Sequence, residues 1–139
     1  MTSEFAIAVH AITYLNHKQE SLSSEQIAEN VCVHPVRIRK ILARLKKAGL
    51  IVTKEGTHGG YHFEQDPAAV DLYTICQAVG EQPVEVKAST GDINMECHIA
   101  SGMAGIMDQV YDRMNQACYS QLKQITIADI DKKIFQRGE

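Results

Sequence analysis

Between Asn30 and Lys54 the chain reads NVCVHPVRIRKILARLKKAGLIVTK, seven lysines and arginines with no Asp or Glu, in a protein whose formal net charge is −3. A cationic excess this local, set against a negative total, matches a surface that faces phosphate. The residues that follow, EGTHGGYHF, place three glycines between apolar runs. A basic amphipathic helix leading into a hairpin predicts a winged helix-turn-helix: mainly α, with a small β-hairpin wing.

Charge also divides the chain. Residues 1–65 hold 8 basic and 6 acidic side chains, a balance of +2, whereas residues 66–139 hold 6 and 11, a balance of −5. The first half suits DNA and the second should avoid it. At 139 residues and 45% hydrophobic, the chain can bury one core. No apolar run approaches the roughly 18 residues of a membrane span, and MTSEFAIAVHAITYL carries Glu4 and no basic leader region. A cytoplasmic protein without a membrane partner is expected. Cys32, Cys76, Cys97 and Cys118 stand apart with no CxxC pair, which favours free thiols over a disulfide framework or a zinc knuckle.

Along the first half, Phe5, Ala8, Val9, Ile12 and Leu15 recur at helical spacing behind Ser3, a candidate N-cap, and predict a helix over about residues 4–17. Ser23 with Gln26 has the spacing of a capping box ahead of Ile27, Ala28 and Val31. Pro35 suits the first position of a third helix and Gly49 its end. On that helix Ile38, Ile41, Leu42 and Leu45 form the buried stripe, so Val36, Lys40, Ala43 and Lys47 face outward, flanked by Arg37 and Arg39. Such a face is either a solvated charged surface or a fit for a major groove roughly 12 Å wide, where Arg forks onto guanine and Lys reaches phosphate; the lack of acids, the short helix before it and the hairpin after it favour DNA. The hairpin alternates on both sides of its glycines, which permit positive φ and close backbone approach. With no Lys-Ser or Lys-Thr pair after it, the segment is not a nucleotide phosphate loop.

The order of SSEQIAENVCVHPVRIRKILARLKKAGLI, GTHGGYHF, DPAAVDLYTICQAVGE and NMECHIASGMAGIMDQVYDRM resembles the Rrf-two family of bacterial winged-helix regulators. The resemblance implies a homodimer on double-stranded DNA with a near-palindromic operator, usually as a repressor, in the family's cofactor-free branch. It puts base reading on His34, Val36, Arg37, Arg39 and Lys40, with Gly59, Gly60 and Tyr61 shaping the wing; an aromatic there can also simply pack on the core. Many relatives carry Arg just before the first wing glycine, whereas this chain has Glu55, which repels phosphate. Wing readout is then weaker, or moves to Lys54 and His58.

The expected organisation is a winged domain over residues 1–80, a loop over 81–95, and a long dimerisation helix with a C-terminal helix over 96–139. Leu72, Ile75, Cys76 and Val79 predict a short helix ending at Gly80; Met103, Met107, Val110, Met114 and Ala117 predict the seam of a two-helix pairing, or else an intramolecular stripe. Thr126 with Asp129 opens a last helix carrying Ile127, Ile130, Ile134 and Phe135, expected to fold back on the dimer base or the first helix.

Cluster-binding relatives supply three cysteines near the start of the long helix, and this chain has only Cys97 there, so no iron–sulfur cofactor is expected. A helix N-terminus stabilises a thiolate, which makes Cys97, beside His98, the candidate redox thiol. Cys32 lies in the turn before the basic helix. A disulfide from Cys97 to Cys32, formed between subunits under oxidants of the hypochlorite kind, would tilt the reading heads, provided the Cα atoms come within about 7 Å; Cys32 can equally be an ordinary small side chain. A small ligand or a metal drawing on Cys97, His98, His58 and His62 is the alternative control, although no i, i+4 pair outside the wing makes a compact metal site. No nucleophile elbow or HExxH motif points to an enzyme. A winged helix that binds only proteins leaves the basic third helix unexplained.

Overall fold

The structure is a computed structural model that describes residues 1–136; the last three residues of the expected 96–139 segment lie outside the described residues. In chain order the elements are α1 (Glu4–Lys18), α2 (Ser24–Val31), α3 (Pro35–Lys47), β1 (Val52–Lys54), β2 (Gly60–His62), α4 (Leu72–Ala78), α5 (His98–Leu122) and α6 (Ile127–Gln136). The mainly helical fold with a two-stranded antiparallel hairpin is the one the sequence predicts.

Helix α1 is the centre of the core. Ile7 and Ala11 are buried along with Ala8, Ile12 and Leu15, so the apolar face is wider than the predicted stripe, because α2, α3, α4 and α6 all pack against this helix. Ser3 does not cap it by its side chain: its own torsions are already helical (φ −72°, ψ −8°), and its hydroxyl instead accepts from Arg37. The predicted box on α2 is present. Gln26 N–H donates to Ser23 Oγ at 3.1 Å, and Ser23 N–H donates to Gln26 Oε1 at 2.8 Å, satisfying two donors that a helix start leaves free. Helix α2 stops at Cys32 in the left-handed region (φ 63°), an unusual place for a side chain with a Cβ. Pro35 then starts α3, and Gly49 (φ +80°) turns the chain out of it.

The wing pairs Val52 with His62, Thr53 with Tyr61 and Lys54 with Gly60. All of β1 is exposed, so the alternation read in the sequence does not bury one face of this strand. A two-stranded ribbon has no second layer to cover it, and its anchors are the buried Leu50, Ile51 and Phe63 at the base. Leu22 adds a one-residue bridge: its N–H donates to the Tyr61 carbonyl at 2.9 Å, and Tyr61 N–H donates to the Leu22 carbonyl at 2.8 Å. This explains Gly60, which sits at φ +144° and whose added Cβ would lie 2.5 Å from the Leu22 carbonyl oxygen. Gly60→Ala is expected to cost about 2 kcal/mol and lower the thermal midpoint by several degrees. Circular-dichroism melting checks this, and an unchanged midpoint contradicts it.

Asp71 caps α4, its carboxylate accepting from Thr74 N–H at 2.8 Å. Leu72 N–H donates to the Ile125 carbonyl at 2.8 Å, and Ile127 N–H to the Val70 carbonyl at 3.0 Å, stitching the start of α4 to that of α6. Thr126 and Asp129 form the reciprocal cap of α6, at 2.9 and 3.2 Å. The helix folds back on α1, with Ile127 fully buried and the rings of Phe135 and His17 stacked at 4.4 Å.

Residues 81–94 form no regular structure but are tied to α5 at both ends. Asn115 donates to the Val84 carbonyl at 3.0 Å and accepts from Val84 N–H at 2.7 Å, and Asp92 N–H donates to the Ala100 carbonyl at 3.0 Å. Asn115 is the one buried residue of α5. Met103 and Met107 face residues 86–90 across a cavity, and the exposed apolar line of the helix is Ile99, Ile106, Val110 and Met114, the last two of them members of the predicted seam. Among the described residues no helix is long and apolar enough to cross a membrane.

Candidate nucleic-acid interface

Burial of Ile38, Ile41, Leu42 and Leu45 leaves α3 one way to face, and Val36, Arg37, Arg39, Lys40, Ala43 and Lys47 are all exposed on it. His34 is the N-cap, its Nδ1 accepting from Val36 N–H at 3.1 Å. In the neutral ring that leaves the proton on Nε2, a donor directed away from the helix end. His34 thus both starts the helix and stands beside the face that it presents.

The arginines are held by their own chain. Arg37 Nη2 donates to Ser3 Oγ at 2.6 Å, Arg39 Nη1 lies 3.5 Å from Glu25 Oε1, and Arg44 Nη1 donates to Glu4 Oε2 at 2.7 Å and to the Val79 carbonyl at 3.2 Å. Among the described residues Lys40, Lys46 and Lys47 form no ion pair. An exposed pair such as Arg39–Glu25 contributes within about 1 kcal/mol, so Arg39 gives up this carboxylate at little cost.

The wing residues lie on a separate hairpin and are electrostatically mixed. Lys54 Nζ is 2.7 Å from Glu64 Oε1, and the hydrogen bond and charge of Lys54 hold the Glu64 carboxyl below its usual value. Glu55 and His58 are exposed near the tip. Gly59 and Gly60 serve the fold through their backbones: a Cβ at Gly59 would run into the Lys54 carbonyl. Tyr61 is half-buried against the core and bonded to Leu22, so its ring packs, as an aromatic at the base of a wing commonly does.

All four cysteines are free thiols, and within one chain Cys32 and Cys97 are not joined. Cys97 is exposed at the N-cap of α5, where the N–H groups of Ala100 and Ile99 hold its thiol below the ordinary range. Cys32 is exposed at the end of α2, its thiol 3.5 Å from the Glu29 carbonyl. Burial pushes the Cys76 thiol up, and it donates to the Glu81 carbonyl at 3.3 Å. Between residues 86–90 and Met103, Met107 and Tyr111 lies a cavity of about 500 Å³. The polar contacts of Ser3, Glu4, Glu81 and Asn115 carry no sequence motif and emerge only from the fold.

The Rrf2 family model, described as an iron-dependent transcriptional regulator, matches residues 1–133. The chain is 27% identical over 135 residues to YwnA of Bacillus subtilis, which is named as an HTH-type transcriptional regulator; the match covers 97% of this chain and 99% of that one. The crystal structure of a Lactobacillus plantarum transcriptional regulator superposes with a TM-score of 0.85 at 23% identity, covering 99% of this chain and 93% of that one. CymR, the global cysteine regulator of B. subtilis, superposes with a TM-score of 0.70 at 19% identity, with 96% of each chain covered. The iron of the family description finds no donor set among the described residues of one chain. Among the described residues no three His, Cys, Asp or Glu side chains are grouped to hold a metal ion, and beyond Cys97 the next cysteine, Cys118, is about six helical turns away.

Proposed function

This chain belongs to the Rrf2 family of transcriptional regulators, and from that premise we propose that it is a homodimeric, cytoplasmic repressor whose operator affinity is switched by oxidation of Cys97. The observation that carries the DNA reading is the outward face of α3, where Arg37, Arg39, Lys40 and Lys47 stand exposed with no acid on the same helix. Twofold symmetry sets two such helices on successive major grooves, about 34 Å apart, which selects a near-palindromic operator. His34, Val36, Arg37, Arg39 and Lys40 read bases and phosphates. The wing adds His58 and the backbone at Gly59 and Gly60, and Lys54 must exchange Glu64 for phosphate to contribute.

The switch rests on Cys97. An exposed thiol with a lowered pKa holds more thiolate at neutral pH than an ordinary cysteine, and thiolate is the form that oxidants attack. Its bonding partner in this reading is Cys32 of the partner subunit, which sits at the turn into α3 and can change that helix's angle. CymR, which shares this fold, is named the global cysteine regulator of B. subtilis, and that name agrees with a reading through cysteine chemistry. The cavity beneath residues 86–90 favours a second reading, in which a small ligand wedged between that loop and α5 controls the dimer.

Fluorescence anisotropy of a labelled duplex from the gene's own upstream region tests the proposal. Reduced protein should bind, with affinity falling steeply as salt rises. Mild hypochlorite should weaken binding at least about tenfold, equivalent to about 1.4 kcal/mol, and reductant should restore it; Cys97→Ser should bind but not respond. A full response in Cys97→Ser rules out the thiol switch. Binding indifferent to oxidant in the wild type turns the search to the ligand reading.

A further inference from the structure

Residues 2–4 touch three places at once. Glu81, 7% exposed and following the Gly80 that ends α4, accepts from the Thr2 backbone N–H at 2.9 Å through one carboxylate oxygen and from the Thr2 hydroxyl through the other. The same hydroxyl oxygen accepts from Glu4 N–H at 3.2 Å. Ser3 Oγ accepts from Arg37 at 2.6 Å, and Glu4 accepts from Arg44 at 2.7 Å. Three consecutive residues therefore join one buried carboxylate to two arginines of α3.

We infer that Glu81 is a positioning residue for DNA binding, acting through Thr2 and Ser3 on Arg37. A buried carboxylate needs donors for both oxygens, and Thr2 supplies them. With Thr2 anchored, Ser3 presents its hydroxyl at a fixed place, and ordering the long Arg37 side chain against a fixed acceptor costs less entropy than against a mobile one. The bond uses one of the five guanidinium N–H donors, leaving the rest for phosphate or guanine. From Glu81 the chain runs to Val84, which Asn115 grips by both backbone groups. A continuous set of contacts thus leads from α5 to a reading arginine. The inference rests on α3 being the DNA-contacting helix.

The test is a double-mutant cycle on an operator duplex selected from a random pool by the wild-type protein. Ser3→Ala and Glu81→Ala should each weaken operator binding about three- to tenfold. The double variant should be no weaker than the weaker of the two, because both open the same linkage. Glu81→Gln should rescue most of the loss, since its amide can accept from Thr2 N–H and donate to the Thr2 hydroxyl. Glu81→Ala in an Arg37→Ala background should change nothing further. Thr2→Val, which removes only the hydroxyl, gives a second reading with the core untouched, and should weaken binding in the wild type but not beside Arg37→Ala. Losses that multiply in the double variant, or that persist beside Arg37→Ala, overturn the inference while leaving the DNA reading in place. No duplex selected by the wild type overturns both.

Discussion

Arg39→Glu with Lys40→Glu is expected to reduce operator affinity by at least about 100-fold while leaving the thermal midpoint nearly unchanged. Both side chains are exposed on α3, and neither belongs to the buried stripe of Ile38, Ile41, Leu42 and Leu45 that anchors the helix, so folding has little stake in them. Surface substitutions of this kind fall within about 0.5 kcal/mol, and the one ion pair they remove, Arg39 with Glu25 at 3.5 Å, is exposed and contributes little. On DNA the balance differs. Each residue that changes from cation to anion leaves a phosphate without its partner and adds a repulsion, and the slope of log affinity against log salt should flatten by about 0.9 for each phosphate no longer neutralised. Anisotropy titrations at three or four salt concentrations read both quantities. If affinity and slope are unchanged in a folded variant, α3 is not the helix that meets DNA.

That helix is legible in the sequence because its information is local. The spacing of four apolar residues fixes the buried face, Pro35 and Gly49 punctuate the ends, and the lack of acids marks the opposite side. Ser23 with Gln26 and Thr126 with Asp129 are legible for the same reason, since a reciprocal cap spans only three residues. The wing is less so. Its glycines indicate a turn, but that Gly60 must clear the Leu22 carbonyl, or that Lys54 is taken by Glu64, depends on which residues tertiary packing brings alongside. The contacts of Glu81 with Thr2 and of Asn115 with Val84 join residues far apart in the chain, and neither leaves a periodicity to detect. Ser3 shows the limit most clearly: its position suggests a cap, yet a helical ψ turns its hydroxyl away from the α1 amides and toward Arg37.

Val110→Asp with Met114→Asp should convert the protein to a monomer in sedimentation velocity and lower operator affinity by at least about 100-fold. Helix α5 spans 25 residues with only Asn115 buried, and its early turns contain Gly102 and Gly105, whose faces are open; each glycine costs a helix about 1 kcal/mol relative to Ala. Helices are sustained mainly by packing an apolar face, and here that face is Ile99, Ile106, Val110 and Met114, with Ile99 72% exposed. In the proposed dimer a second copy of the same helix would cover it self-complementarily, and a carboxylate at the crossing would then be desolvated without a partner. A monomer presents one α3 to one half-site and loses the additive gain of the second. Helicity at 222 nm should fall as α5 loses its cover, while α1 to α3, with their own core, keep theirs. A variant that stays dimeric with full affinity would place the dimer contact elsewhere. One that becomes monomeric yet binds as tightly would show that a single α3 carries recognition, leaving no role for a reorientation of paired reading heads.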